Sequence, residues 1–556
     1  MSRGGVDGTR GARGGGGFGE FAVVALAALT LTTALSYPLA FHLGTIGRTD
    51  GADGQFSIWN VAWVARTLVV DPVHIFDANI FYPNTGTLFY SEANLGAGVL
   101  ALPAYWLTRN PYVANNVVTL LSFVLSALGA YYLVRYLTRD RWASALSAVC
   151  FSCCPYVFAH VPHIQLLLTA GLPFSMLAFH RLADRPSIGR GLVVGLVMAA
   201  QAVCCGYYGI FVMLMVGFAT LLVAGTRGLW TKASYWGAIT AAAAVAILAV
   251  LPLLLPYLAL QRTTGFARAL GAGQQYSADW RSYLASSAYA HTWMLRLLGE
   301  WREVAFPGFV VSVLGLTGAV WAWRAHGRSR ELAVLYGSLA VLACWASLGP
   351  GAGLYTVLYR MVPGFTLLRA ASRFCIVVVF SLSILAGFAL AALRRRTARP
   401  LLVGAAFLTL SVADVFVSLP FRPVPDVEPG YRVLATLPRG GLLEMPVYSR
   451  PFAFERAAYM LASTTHWMPL VNAYSDYIPA ELNNNLETLG DFPSQNAFRL
   501  LARDQVRYVV FHLDRYSPEM TIRLRASLQE FAPYLRRLWA DHRLELYEIE
   551  SFPPIR

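Results

Sequence analysis

The chain has 556 residues, 56% of them hydrophobic and only 13% charged, with a mean hydropathy of +0.51; an average soluble chain carries roughly 25% charged residues. That balance excludes a soluble enzyme of this length. The formal net charge of +14 is almost all arginine, since Lys232 is the only lysine. The arginines lie in short loops between apolar runs, without interleaved aromatics, which excludes nucleic acid as a partner.

In chain order, the Gly-rich start over residues 1–20 reads as a disordered cytoplasmic arm, and residues 21–41 as the first membrane span. No clear small-residue cleavage site accompanies this long run, so it reads as an uncleaved anchor. Acidic residues then divide the chain: 14 lie in residues 1–419 and 16 in 420–556. Five of the 14 (Asp50, Asp53, Asp71, Asp77, Glu92) fall between residues 42 and 93, which makes that loop the first place to expect chemistry.

The sharpest motif there is Thr49-Asp50-Gly51-Ala52-Asp53-Gly54-Gln55, followed by Trp59 and Trp63 at helical spacing. Two carboxylates beside an aromatic-lined surface at the lipid boundary could supply a general base that deprotonates an acceptor hydroxyl. They could also hold a divalent metal ion against a phosphate. Equally, Asp50 and Asp53 could end a turn and cap the helix that follows. Glu92 beside Tyr90 is a second acid of the loop, or a solvated charge. Residues 95–108 are apolar but, at about 14 residues, short for a span. They read as a half-inserted helix, so that residues 42–112 form one large external loop.

Further spans read at about 113–134, 142–158, 164–180, 190–205, 207–224, 235–258, 306–323, 332–348, 372–393 and 400–419. With a cytoplasmic N-terminus, every second loop is basic: Arg135, Arg139 and Arg141; Arg181, Arg185 and Arg190; Arg227 and Lys232; Arg324, Arg328 and Arg330; Arg394 to Arg399. This predicts eleven spans within residues 21–419 and places 420–556 outside. The seven cysteines all lie in apolar runs and read as small buried residues, with no disulfide framework.

At the outer end of the third span, His160 and His163 could ligate a metal, donate to a phosphate, or simply bond backbone or water. The external loop 259–305 carries Arg262 and Arg268. Arg369 and Arg373, four apart where an external loop enters the tenth span, defy the basic-inside pattern. Their planar forks suit phosphate oxygens, and the alternative is a pair that snorkels to anchor the span.

Residues 420–556 change character. Short β-rich runs (442–447, 469–474, 508–512, 544–549) alternate with helical stretches, including helix-spaced apolar positions over 519–540, which predicts a small α/β extracytoplasmic domain. His466, Trp467, Asn472, Tyr474, Asp476 and Tyr477 combine rings and polar groups there, as carbohydrate contacts do; core packing explains the aromatics equally well.

A cytoplasmic N-terminus, an acidic first external loop with amphipathic helices, many spans and a C-terminal outer domain together resemble the GT-C superfamily of membrane glycosyltransferases. The ordered set Asp53, Trp59, Trp63, Asp71-Pro72, Phe76 to Pro83, Leu88 and Tyr90-Ser91-Glu92 is similar to one bacterial branch. The likeness continues at Asn110-Pro111, His160 to His163, Leu368-Arg369, Ser372 to Phe374 and His466 to Asn472. The fold class implied is mainly α, a polytopic membrane protein of about eleven helices with a small α/β domain. The activity implied is transfer of a sugar, with inversion, from a polyprenyl-phosphate-linked donor to a glycan, lipid or protein acceptor at the outer face of the cytoplasmic membrane. The family's catalytic carboxylate maps onto Asp53, with Asp50 as alternative or partner, because Asp-Gly-Ala-Asp replaces an adjacent acidic pair. Competing classes are a transporter or lipid flippase and a non-catalytic envelope scaffold.

Overall fold

The computed structural model describes residues 16–266, 268–298 and 302–554. The arm expected over residues 1–20 falls outside them up to residue 15, and from Gly16 the chain is already helical. Each interval read as a span contains an α-helix, but the first ends at Leu35 and the last at Val415, and 142–158 and 164–180 are each broken into two helices, at 153–154 and 168–170. Among the described residues, seven stretches are long and apolar enough to cross a membrane: Phe18–Leu35, Pro111–Thr138, Arg141–Ala159, Ile164–Asp184, Gly206–Thr226, Ala233–Thr264 and Ala371–Arg396. Ile188–Cys204, Phe309–Arg324 and Pro400–Val415 are apolar but shorter. Arg328–Ser347 reaches 20 residues but opens on Arg328, Arg330 and Glu331. The chain is a multi-pass helical membrane protein.

Packing brings the basic loops together. Arg227 pairs with Asp184 at 2.9 Å and Glu331 at 2.6 Å, Arg328 with Asp184 at 2.7 Å, Arg135 with Glu20 at 2.9 Å, and Arg394 with Asp140. These loops share one end of the helix bundle, and the long loops gather at the other. Small residues set how closely the helices approach. A Cβ at Gly318 would lie 2.1 Å from the Leu385 carbonyl oxygen and one at Gly315 2.9 Å from that of Leu382, so Phe309–Arg324 seats on Cys375–Arg396 across these two glycines.

At the long-loop end, β1 (Ile46–Gly47) pairs antiparallel with β2 (Arg422–Pro423), tying the first loop to the chain that enters the C-terminal region. There β3 (Gly441–Met445), β4 (Val506–His512), β5 (Leu535–Ala540) and β6 (Leu544–Ile549) form one sheet in the order β3-β4-β6-β5. Only the β3-β4 pair is parallel. Two sequence expectations change. The stretch 519–540 is not one helix: Pro518–Glu530 ends before Pro533, whose ring cannot continue it, and β5 follows. The run 469–474 makes a single bridge, Leu442 to Leu470, because beyond it the Asn472 side-chain amide takes over the ladder, bonding both the N–H (3.1 Å) and the C=O (2.8 Å) of Glu444.

The C-terminal region does not close its core alone. Trp59, Trp63, Ile75, Ile80, Phe81 and Leu88 of the first loop are buried with Leu442, Leu443, Tyr459, Leu470 and Val509. Trp59 donates its indole N–H to Asn79 Oδ1 (3.0 Å), and the Asn79 amide donates to Ser463 Oγ (3.0 Å) and Met468 O (3.1 Å). The two tryptophans expected at a lipid-boundary surface are therefore core residues. Their helix, Ala52–Val70, is packed between Leu95–Thr108 and Ala457–Ala462, which leaves its middle no free face.

Candidate active site

Helix Ala52–Val70 starts from Gly51 in an extended conformation, and no side chain caps it. The two carboxylates of the opening motif have gone elsewhere. Asp50 turns to Arg48, Oδ1 to Nε at 3.1 Å, while Asp53 faces His163, Oδ2 to Nε2 at 3.3 Å. Gly54 permits this: a Cβ there would lie 1.9 Å from the Arg48 carbonyl oxygen, so the 48–50 turn folds over the helix start only across a glycine. Ser57, one turn beyond Asp53, donates to Pro162 O at 2.7 Å and fixes the turn that carries His163.

The His163 hydrogen bond holds the Asp53 carboxyl below the usual carboxylate range against the opposing effect of burial, helped by the charges of Arg369 and Arg373. Asp53 is thus ionised at neutral pH and still open to a ligand, its side chain 54% exposed. Burial also works to raise the Asp50 carboxyl, but the Arg48 hydrogen bond and charge outweigh it. Asp50 serves the turn and does not pair with Asp53.

His160 stacks on Tyr156 with ring centres 4.2 Å apart, and its Nδ1 bonds the Tyr156 carbonyl at 2.7 Å. A carbonyl only accepts, which places the proton on Nδ1. Burial pushes the His160 pKa down to about 3, so this ring is neutral, 6.0 Å from that of His163.

Arg369 and Arg373 come from the stretch joining Phe365–Leu367 to Cys375–Arg396. Arg373 sits in a tight turn with its guanidinium 3.9 Å from the centre of the Tyr207 ring, and among the described residues it has no carboxylate within 4.0 Å. Arg369 lies over Tyr276 and pairs with Asp476 Oδ1 at 3.4 Å; Arg268 takes the same oxygen at 2.8 Å, and Ser91 donates to Oδ2 at 3.1 Å. Burial, then the charges of Asp53 and Asp476, push the Tyr474 phenol up to about 12. The C-terminal region thus contributes Tyr474 and Asp476 directly.

Glu92 accepts from the Gly206 N–H at the start of helix Gly206–Thr226; burial raises its carboxyl against the pull of Arg373. One further acid escaped sequence reasoning. Glu303 lies near Ser372, Arg373 and His163, and burial raises its carboxyl against the pull of Arg373. It is one of three acids, with Asp279 and Glu300, in a loop rich in Arg, Tyr and Trp; the scarcity of acids before residue 420 is the one signal that could have drawn attention to it.

Four sequence candidates are not brought to this cluster. Arg262 is exposed in the last turn of Ala233–Thr264, and Arg268 turns inward in its place. His466 accepts from the Met468 N–H at 3.0 Å and stacks on Tyr431, with burial lowering its pKa to about 3. Trp467 packs on Trp63 beneath Arg66. Asn472 is fully buried against Glu444. These last three build the second core and its seam with the helices. Asp53 and His163 supply one carboxylate and one imidazole, and among the described residues no group of three or more His, Cys, Asp or Glu is placed to hold a metal ion. The pair does not amount to the three-ligand set of a catalytic zinc centre.

No protein-family model and no curated protein matches the sequence. The fold has counterparts among solved structures. The arabinofuranosyltransferase AftD from Mycobacteria superposes with a TM-score of 0.58 at 15% identity, covering 96% of this chain and 40% of that one. The Archaeoglobus fulgidus oligosaccharyltransferase in complex with Zn and sulfate gives 0.52 at 12% identity, covering 94% of this chain and 72% of that one. This chain shares the fold of both. It spans 40% of the length of AftD.

Proposed function

We propose that the protein is a membrane glycosyltransferase that moves a sugar from a polyprenyl-phosphate-linked donor to a cell-envelope acceptor at the outer face of the cytoplasmic membrane, with Asp53 as general base. In this reading the arginine-rich loops face the cytoplasm, and the long-loop end with the C-terminal region lies outside. The observation that carries it is an ionised, half-exposed carboxylate 3.3 Å from His163 and within the field of two guanidiniums, one of which has no carboxylate partner among the described residues.

The division of labour follows from charge. Asp53 accepts the proton of the acceptor hydroxyl, whose oxygen attacks the anomeric carbon from the side opposite the phosphate. The carbon–oxygen bond to phosphate breaks, and its electron pair leaves on the lipid phosphate. Arg373, and Arg369 once Asp476 releases it, stabilise that charge with fork-shaped donors. The face-on approach inverts the anomeric centre. The test is incubation of the purified protein in detergent with radiolabelled polyprenyl-phosphate sugars, wild type beside Asp53→Asn. Transfer is expected in the first and not the second; full activity in the variant overturns the assignment.

A further inference from the structure

A cavity of about 600 Å³ lies at the seam between the C-terminal region, the 424–428 approach to it and the turn 108–112 between two helices. Its volume falls in the range of roughly 300–1,000 Å³ usual for small-ligand sites, and such sites favour domain junctions. Nothing in the transfer mechanism above uses it.

The wall carries both signs of charge. Arg109, Arg515 and Arg543 supply donors, and Asp426, Glu428 and Asp514 supply acceptors. Arg543 pairs with Glu428 at 3.0 Å and lies 3.7 Å from Asp514. Arg515 donates to the Tyr448 hydroxyl at 3.1 Å, and among the described residues neither it nor Arg109 has a carboxylate within 4.0 Å. Behind them, buried Glu444 locks the lining residues His512 (Nε2 to Oε2, 2.9 Å) and Tyr431 (hydroxyl to Oε1, 3.0 Å), so that part of the wall is rigid.

Three acids and three arginines leave the wall with no net charge, which favours a neutral polar ligand over a phosphate or polyanion. A prenyl chain would strip water from those charges without returning a hydrogen bond. A saccharide meets both demands: its hydroxyls donate to carboxylates and accept from guanidiniums, and its C–H faces suit Pro425 and Leu544. Gln55, which also lines the cavity, is two residues from Asp53 at the start of the same helix. We propose that this cavity binds a saccharide segment of the acceptor, away from the hydroxyl that reacts. The inference rests on the reading of Asp53 as the base of a glycosyl transfer.

The probe is a pool of short oligosaccharides released by mild acid from the envelope of the source cells, titrated by saturation-transfer NMR against the full-length protein in detergent. Thr465→Trp fills the cavity, and Arg515→Glu reverses one of its donors without adding bulk. Both are expected to weaken binding about tenfold or more, as loss of a charge-assisted contact implies, and to raise the acceptor KM. Asp53→Asn is expected to bind as wild type while failing to transfer. Wild-type binding in both cavity variants, or no binding by the wild type, overturns the saccharide site. Transfer by Asp53→Asn together with lost binding in the cavity variants overturns the role of Asp53 and leaves the saccharide site standing.

Discussion

The Asp53 carboxylate and the His163 imidazole lie 3.3 Å apart, and this contact joins the first long loop to the turn between two spans. Each residue alone is unremarkable for its position. Together they make a carboxylate that is held in its ionised form without being closed off.

The pH dependence of that pair has a definite sign. The folded Asp53 carboxyl lies below its free-chain value of about 3.9. The stabilisation from the contact is therefore fully present above that value and is lost as pH falls through the lower folded value. His163→Ala removes the bond and returns Asp53 toward the usual range. The acid limb of a transfer-rate profile is expected to move to higher pH in this variant; an unmoved limb shows that another group sets it.

Arg373 is expected to act on the donor. Arg373→Ala should raise the donor KM roughly tenfold or more, the scale of a lost charge-assisted contact. Arg373→Lys should recover little, since an ammonium offers neither the fork nor the planar face that lies against Tyr207. Initial rates at varied donor and fixed acceptor check this.

Asn79→Ala is expected to destabilise without touching the chemistry. It strands the Trp59 indole N–H and the Met468 carbonyl in a buried setting, while the Ser463 hydroxyl keeps its bond to Met460 O, at a cost of about 1–3 kcal/mol for such groups. Thermal unfolding in detergent should show a lower midpoint, while the rate per folded molecule stays near that of wild type.

Gly54→Ala probes the turn rather than the base. Its methyl group would collide with the Arg48 carbonyl oxygen, pushing the 48–50 turn off the helix start and shifting Asp53 relative to His163. A large drop in turnover with intact expression is expected; wild-type turnover shows that the turn adapts.

Much of this was legible because two rules act locally. Apolar run length marks helices, and arginine placement marks which loops share a side; both hold where the loops pair through Arg227, Asp184 and Glu331. Acid scarcity pointed to Asp53. What escaped depends on contacts distant in sequence. Nothing local shows that Asn472 would spend its amide on Glu444, that Trp59 would bury against the C-terminal region, or that Glu303 would meet Arg373. The separation of Asp50 from Asp53 turns on Gly54, whose importance lies in a neighbour's carbonyl. The split of 519–540 was readable from Pro533, but the apolar spacing on either side masked it.

The core shared by the first loop and the C-terminal region also sets an order of assembly. Trp59, Trp63 and Phe81 leave the ribosome long before β4 and β6 exist to cover them, so this part of the protein cannot mature from its N-terminus onward as most chains do. Until the last strands are made, Asp53 has a helix but lacks the floor beneath it. A stalled or truncated product would form its helices yet leave the Trp59 and Trp63 rings without the cover of the C-terminal sheet.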